Sequence, residues 1–329
     1  MGKKVTIKDV AKASGVSIAT VSQILNGNTQ NFSPKTVEKV QQVKQDMNYE
    51  ADYFARRMIM KESKTIGVMV PDITNPFFST LVKGIEDVLY KEQFITMLCN
   101  ADTDDTKESV ALEELSRRGV DGFIIASSAI SNEAIDSLLR TKKHPFIILD
   151  QKAFDKESDT IGTDDFLGGQ LAANHLKELG HQYVAVVIPN HMTVNIQHRL
   201  DGFQSIYHND ITLLETDLSK EGGKLVVDKL VATNASAVFA LNDELAFGLC
   251  YGLKQLGKRI PDDYSIIGYD NVDMCEYVTP TLTTIAQPIY ELGQQTALML
   301  LERINQPEEE WQNKTLPVTL IKRESTTHA

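Results

Sequence analysis

A chain of 329 residues, 42% apolar and 24% charged, is long enough for two or three domains with cores of their own. It has no run of 18 apolar residues, which excludes an ordinary membrane-spanning helix. The opening Met1-Gly2-Lys3-Lys4 leads straight into a polar pattern without the apolar stretch of a secretory signal. Three scattered cysteines, Cys99, Cys250 and Cys275, exclude a disulfide framework or a thiolate metal site and fit a reducing, cytoplasmic compartment. The net charge of −12 is unevenly placed. Residues 1–64 carry eleven Lys and Arg against six Asp and Glu, a net of +5, and the remainder carries −17. A basic head on an acidic body expects a polyanion at the head alone.

The head begins "VTIKDVAKASGVSIATVSQILNG". Thr6 and Asp9 form a capping-box pair with Asp in place of Glu, which predicts a helix over residues 7–14 with Val10, Ala11 and Ser14 on one face. Gly15 supplies a tight turn that lets a second helix cross the first at close range, and Ser17 is that helix's N-cap. Val16, Val21 and Leu25 are expected to face the first helix; Ile18, Ala19, Ser22 and Gln23 face outward. Asn26-Gly27-Asn28 stops the helix, and Ser33-Pro34 starts a third with Val37, Val40, Val43 and Met47 as its apolar stripe. This is a helix-turn-helix with a supporting helix. A small, smooth second helix fits the major groove of B-DNA, about 12 Å wide, and its outward polar groups reach base edges. The alternative is a generic three-helix packing unit. Residues 51–63, "ADYFARRMIMKES", then form a candidate helix too short to hold on its own, or a solvated linker.

From Lys64 the pattern alternates strand and helix. Apolar runs fall at 65–70, 94–100, 122–126 and 146–150, and again at 183–188, 237–241 and 264–270, separated by helix-like segments. Two such series predict two α/β lobes with parallel sheets and helices on both faces. A ligand would then sit between the lobes at the carboxyl ends of the strands. Asn75, Phe77, Phe78, Asp150, Arg199, Asn242, Asp270 and Gln287 fall at or near those ends, with Arg199 expected to open a helix. Two aromatic faces plus carboxylates, amides and a guanidinium suit a sugar: rings pack on its C–H face, and forked polar groups take paired hydroxyls. Taken singly, each could be a turn, a helix cap or core. The seven histidines show no metal spacing, and no G-x-S-x-G elbow or P-loop is present, so neither an enzyme nor a cofactor is expected. Gly168-Gly169 and Gly222-Gly223 read as helix starts.

"TIKDVAKASGVSIATVSQILNG" and "NYEADYFARRMIMKESKTIGVMVPDITNPFF" resemble the lactose-repressor family of bacterial transcription regulators, and the resemblance runs to the C-terminus. It implies an N-terminal helix-turn-helix domain (1–49), a hinge helix (50–64) and a two-lobed, periplasmic-binding-protein-like α/β body (65–329). Lobe 1 would hold about 65–160 and 290–320, and lobe 2 about 161–289 and 321–329. It implies operator contacts from Thr6, Ser17, Ile18, Ala19, Thr20, Ser22, Gln23 and Asn26. Arg56 and Arg57 would lie near phosphates, with Met58 as a minor-groove wedge where relatives carry leucine. Gln23 stands where most relatives have Arg or His. The motifs "NPFFSTLVKGIE", "ALNDELAFG", "IGYDNVD" and "LTTIAQPIYELG" resemble the ribose-binding fold and the family's ribose-operon branch. That implies a homodimeric repressor with ribose as effector, Leu218 closing the pocket where relatives place an aromatic. Another pentose, a purine, a phosphocarrier protein, or a plain sugar receptor are the alternatives.

Overall fold

The computed structural model describes residues 5–49, 62–102, 104–127, 130–149, 158–208 and 211–329. They divide into two compact units, one ending at Ser63 and the other beginning at Lys64.

The first unit holds α1 (Ile7–Ser14), α2 (Ile18–Leu25) and α3 (Pro34–Asp46). At the start of α1 the Thr6 backbone N–H donates to Asp9 Oδ2 at 2.9 Å and the Thr6 hydroxyl donates to the same oxygen at 2.6 Å. Gly15 sits at φ +71°, its N–H closing on the Ala11 carbonyl at 2.9 Å. The nearest atom to a Cβ added there is Lys39 Nζ at 3.6 Å, so this turn needs glycine for its left-handed dihedral and not, as the sequence suggested, for close helix approach. Ser17 and Ser33 cap α2 and α3 by accepting from the Thr20 and Thr36 backbone N–H groups at 3.1 and 3.2 Å. The core comprises Val10, Ala11, Val21, Ile24, Val40 and Tyr49. Ile24, three residues beyond Val21, is the buried partner on α2, while Leu25, expected there, is half-buried.

The second unit contains two sheets. The first has β1 (Thr65–Val70), β2 (Ile95–Asn100), β3 (Gly122–Ile125), β4 (Phe146–Leu149) and β5 (Asp159–Thr163). The second has β6 (Val184–Pro189), β7 (Ile211–Thr216), β8 (Ala237–Ala240), β9 (Ser265–Asp270) and β10 (Thr283–Ala286). The C-terminal strand β11 (Asn313–Leu316) returns to the first sheet and β12 (Thr319–Ile321) to the second. The orders are β11-β5-β4-β3-β1-β2 and β12-β10-β9-β8-β6-β7, and β12 alone among the paired strands runs antiparallel to its neighbour. In each lobe the second strand is added on one side of the first and the third on the other, which leaves a crevice at the carboxyl ends.

Around the first sheet lie α4 (Pro76–Lys91), α5 (Asp105–Arg118) and α6 (Asn132–Ile135). Around the second lie α7 (Asp165–Glu178), α8 (Val194–Tyr207), α9 (Lys220–Val231) and α10 (Asp243–Gln255). The long α11 (Ile289–Asn305) crosses back to pack on α4, β3 and β4. Along β1, Ile66, Val68 and Val70 join Leu81, Ile85 and Leu300, whereas Met69 joins Leu112 and Leu115. Both faces of this sheet are therefore covered, which is why its strands read as continuous apolar runs. The seven expected strands are present to within a residue at each end. Those the sequence did not announce (β5, β7, β10, β11, β12) are short, threonine-rich or at a sheet edge, so no apolar run marks them.

Helices α7 and α8 meet at backbone contact. A Cβ on Gly169 would lie 2.0 Å from the Arg199 carbonyl oxygen, and one on Gly202 would lie 2.0 Å from that of Phe166. Neither obstruction is a movable side chain. Gly169→Ala is expected to force the helices apart and lower the unfolding free energy by about 1–3 kcal/mol, the usual range for overpacking. Urea denaturation measures it, and a change below about 0.5 kcal/mol, the level of a neutral surface substitution, would contradict the contact.

Candidate functional site

Two surfaces carry the residues singled out by sequence. On the head, Ile18 is 44% exposed, and Thr6, Ser17, Ala19, Gln23 and Asn26 are exposed. Ser22 and Thr20 are half-buried, and the Thr20 hydroxyl pairs with Ser17 Oγ at 2.9 Å as part of the cap. The face of α2 opposite Val21 and Ile24 thus presents Ile18, small side chains and one long amide. Arg56, Arg57 and Met58 lie outside the described residues.

In the body, a cavity of about 430 Å³ lies at the carboxyl ends of both sets of strands. Asn75, Phe77, Phe78, Arg199, Leu218, Asn242, Asp270 and Gln287 all line it; Asp150 lies outside the described residues. Asn75 and Asn242 are at once helix caps and lining residues. Their Oδ1 atoms accept from the Phe77 and Leu245 backbone N–H groups at 2.9 and 2.8 Å, which fixes each amide at the cavity wall. The rings of Phe77 and Phe78 meet edge to face, centroids 5.0 Å apart. Leu218 is half-buried, packed against two of the body's apolar clusters.

Arg199 does not open a helix. Thr193 is the N-cap of α8, so Arg199 projects from its second turn, only 4% exposed. Its Nε donates to Asp165 Oδ1 at 2.7 Å and one terminal nitrogen to the Leu241 carbonyl at 2.7 Å. The same nitrogen stands 3.8 Å from Asp270 Oδ1. The guanidinium carbon lies 3.7 Å from the centroid of the Tyr269 ring, and the Tyr269 hydroxyl donates to Asp165 Oδ1 at 2.9 Å. Burial opposes the Arg199 charge, but Asp165, Tyr269 and Asp270 outweigh it and hold the group above its ordinary range.

A hydrogen-bond chain then crosses between the sheets. The Thr163 hydroxyl, at the end of β5, donates to Gln287 Oε1 at 2.7 Å, and Gln287 Nε2 donates to Asp270 Oδ1 at 2.7 Å. Asp270 sits at φ +122°, a strained value for an L residue, worth roughly 1–3 kcal/mol. Burial pushes its carboxyl well above the usual range, against the opposing pull of Arg199, and Asp243 adds to the rise. Asp243 is wholly buried. It accepts from the Thr284 hydroxyl at 2.7 Å, the Val272 N–H at 2.9 Å and the Cys275 thiol at 3.1 Å, and burial pushes it up to about 6.

Asp165, Tyr269 and Thr163 were not singled out by sequence. Asp165 and Thr163 follow or end a strand too polar to be read as one, and Tyr269 is hidden inside an apolar run. Gly168-Gly169 do lie in the first turn of α7, and a Cβ on Gly168 would meet the Tyr269 hydroxyl at 2.3 Å. The smallness of Gly168 is what lets Tyr269 reach Asp165. Among the described residues, no group of three or more His, Cys, Asp or Glu is placed to hold a metal ion, and no helix is long and apolar enough to cross a membrane.

A helix-turn-helix head on a two-lobed binding body is the plan of a ligand-responsive transcription regulator. The family model for bacterial regulatory proteins of the lacI family matches residues 6–52, and that for the periplasmic binding protein-like domain matches 173–326. The transcriptional regulator DegA of Bacillus subtilis is 36% identical over 333 residues, covering 98% of both chains. A LacI family regulator from Enterococcus faecalis V583, solved with bound ribose, is 61% identical with a TM-score of 0.78, over 80% of this chain and 99% of that one. The lac repressor dimer bound to operator and the anti-inducer ONPF is 27% identical with a TM-score of 0.86, over 99% and 100%. The chain belongs to the LacI family of bacterial regulatory proteins: it is a DNA-binding transcriptional regulator with a periplasmic-binding-protein-like body, and its relatives are regulators rather than enzymes.

The network makes Arg199 a structural keystone as well as a lining residue. Arg199→Ala leaves Asp165 and Asp270 buried without their cation and is expected to lower the unfolding free energy of the body by about 3–5 kcal/mol. Equal urea midpoints for variant and wild type would refute this. Asp243 sets a pH dependence. Its folded-state pKa, about 6, lies above the ordinary 3.8, so its contribution to stability is full below about pH 3.8 and is lost as pH rises through about 6. Relative to Asp243→Asn, wild-type stability should therefore decline between pH 4 and 6.5; parallel denaturation curves across that window would contradict the assignment.

Proposed function

We propose that the protein is a homodimeric repressor of a sugar-utilisation operon, acting in the cytoplasm, whose operator affinity is set by ribose bound between the lobes. The observation that carries this reading is the cavity itself. Phe77 and Phe78 line it together with Asn75, Arg199, Asn242, Asp270 and Gln287, in one chain with a helix-turn-helix. The ribose bound by the Enterococcus faecalis relative favours a pentose over a purine. Asp150 completes the set. Buried polar groups left unpaired cost about 1–3 kcal/mol each, so such a site rejects ligands lacking a matching hydroxyl.

On DNA, Ile18, Ala19 and Gln23 read base edges, Gln23 pairing with adenine N6/N7. Thr6, Ser17, Thr20, Ser22 and Asn26 hold the helix end against phosphates. Residues 50–64 form a hinge between the reading domain (1–49) and the body, with Arg56 and Arg57 beside phosphates and Met58 as wedge. Ribose favours a closed arrangement of the lobes that separates the two hinges of the dimer, so sugar and operator oppose each other reciprocally.

The test uses a DNA fragment selected by the protein from a random pool, titrated with and without ribose at one fixed salt concentration. Ribose is expected to weaken binding roughly 5- to 150-fold, the range of ordinary allosteric couplings. Tighter binding with ribose would make it a corepressor and reverse the proposed sign. Unchanged binding would remove ribose as the effector.

A further inference from the structure

The charges around the cavity are unequal. Four described carboxylates line it, Asp72, Asp165, Asp217 and Asp270, against one Lys or Arg side chain, Arg199. Two of its nitrogens are already engaged: Asp165 holds its Nε, the Leu241 carbonyl takes a terminal nitrogen, and Asp270 stands beside the same nitrogen. Arg199 and Asp165 cancel. Whichever protonation state Asp270 takes, no positive charge is left over among the described residues. At the rim, Asp72 follows β1 in the first lobe and accepts from the Thr74 N–H and hydroxyl at 2.8 and 2.7 Å. Asp217 follows β7 in the second lobe and accepts from Asn190 Nδ2 at 3.1 Å. Both are exposed and anchored at the entrance, one on each lobe. The remaining titratable lining group is the exposed imidazole of His191.

We propose that this arrangement is a charge filter: the cavity admits neutral sugars and excludes their phosphate esters. A phosphoester group carries about −1.5 to −2 charges near neutral pH and needs an uncommitted cation, a bidentate guanidinium or a cluster of free backbone N–H groups. Here the guanidinium faces carboxylates, and at the starts of α4 and α10 the Phe77 and Leu245 N–H groups are taken by Asn75 and Asn242. A dianion would be drawn past two fixed negative charges into a site whose described lining carries no net positive charge. The regulator would then sense the sugar before its first phosphorylation. The inference rests on the cavity being the sugar site of the proposed function, and adds the ligand's charge class.

Calorimetric titration of the full-length protein with ribose and ribose 5-phosphate, and with glucose and glucose 6-phosphate, tests it at pH 8, where an ordinary imidazole is neutral. Each ester is expected to bind at least 100-fold more weakly than its parent sugar. In Asp72→Asn/Asp217→Asn the ratio of ester to parent dissociation constants should shrink about tenfold, and it should shrink in the wild type on raising salt from 0.05 to 0.5 M. An ester binding within tenfold of its parent overturns the filter. So does a ratio that neither the double variant nor salt alters, which would make the exclusion steric. If ribose is silent while glucose binds and its ester does not, ribose fails as effector and the filter stands. If no neutral sugar binds, both fall.

Discussion

The buried guanidinium of Arg199 is the interaction on which the body's architecture turns. A charge taken out of water must be met by opposite charge and hydrogen bonds, or it costs several kcal/mol. Asp165 from the start of α7, the Leu241 carbonyl beyond β8, and the Tyr269 ring and Asp270 carboxylate from β9 meet it together. Three segments distant in sequence are thereby tied to one side chain on α8. The glycines at 168, 169 and 202 are subordinate to that tie, since larger residues there would hold α7 away from α8 and Tyr269 away from Asp165.

From this centre a chain of donors leads out through Asp270 and Gln287 to Thr163 on the other sheet. The same side chains that line the cavity therefore also join the lobes. A ligand hydroxyl competing for Asp270 or Gln287 changes a contact between lobes as well as filling space, which gives the body a physical route from occupancy to lobe geometry. The head obeys simpler rules. Its small core leaves one face of α2 free of packing duties, and caps at Thr6, Ser17 and Ser33 fix where the three helices start.

Much of the site was legible because position in an α/β chain is partly encoded locally. Asn75 and Asn242 follow apolar runs and precede helices, so their place at a strand's carboxyl end could be read directly. Arg199 lines the cavity but stands in the second turn of its helix rather than at its start, because α8 is already capped at Thr193, a weak local signal. Ile24 takes the buried place expected of Leu25, which is half-buried, because both satisfy the helical period within its tolerance. Asp165 and Tyr269 escaped notice: one follows a strand with too little apolar content to declare itself, and the other sits inside a run that looks like core, which in part it is.

The sequence by itself determined the three helices of the head and seven of the twelve described strands, in their order. Helix caps, glycine turns and apolar periodicity act over a few residues, and each leaves a local mark. It also determined the separation of a basic head from an acidic body, since charge is a property of composition. Only the tertiary structure decided which charges cancel. The pairing of Arg199 with Asp165, 34 positions earlier, and the proximity of Asp270 to both follow from the sheet order and the close packing of α7 on α8. Electrostatic energy depends on distance through space, and no local pattern reports it.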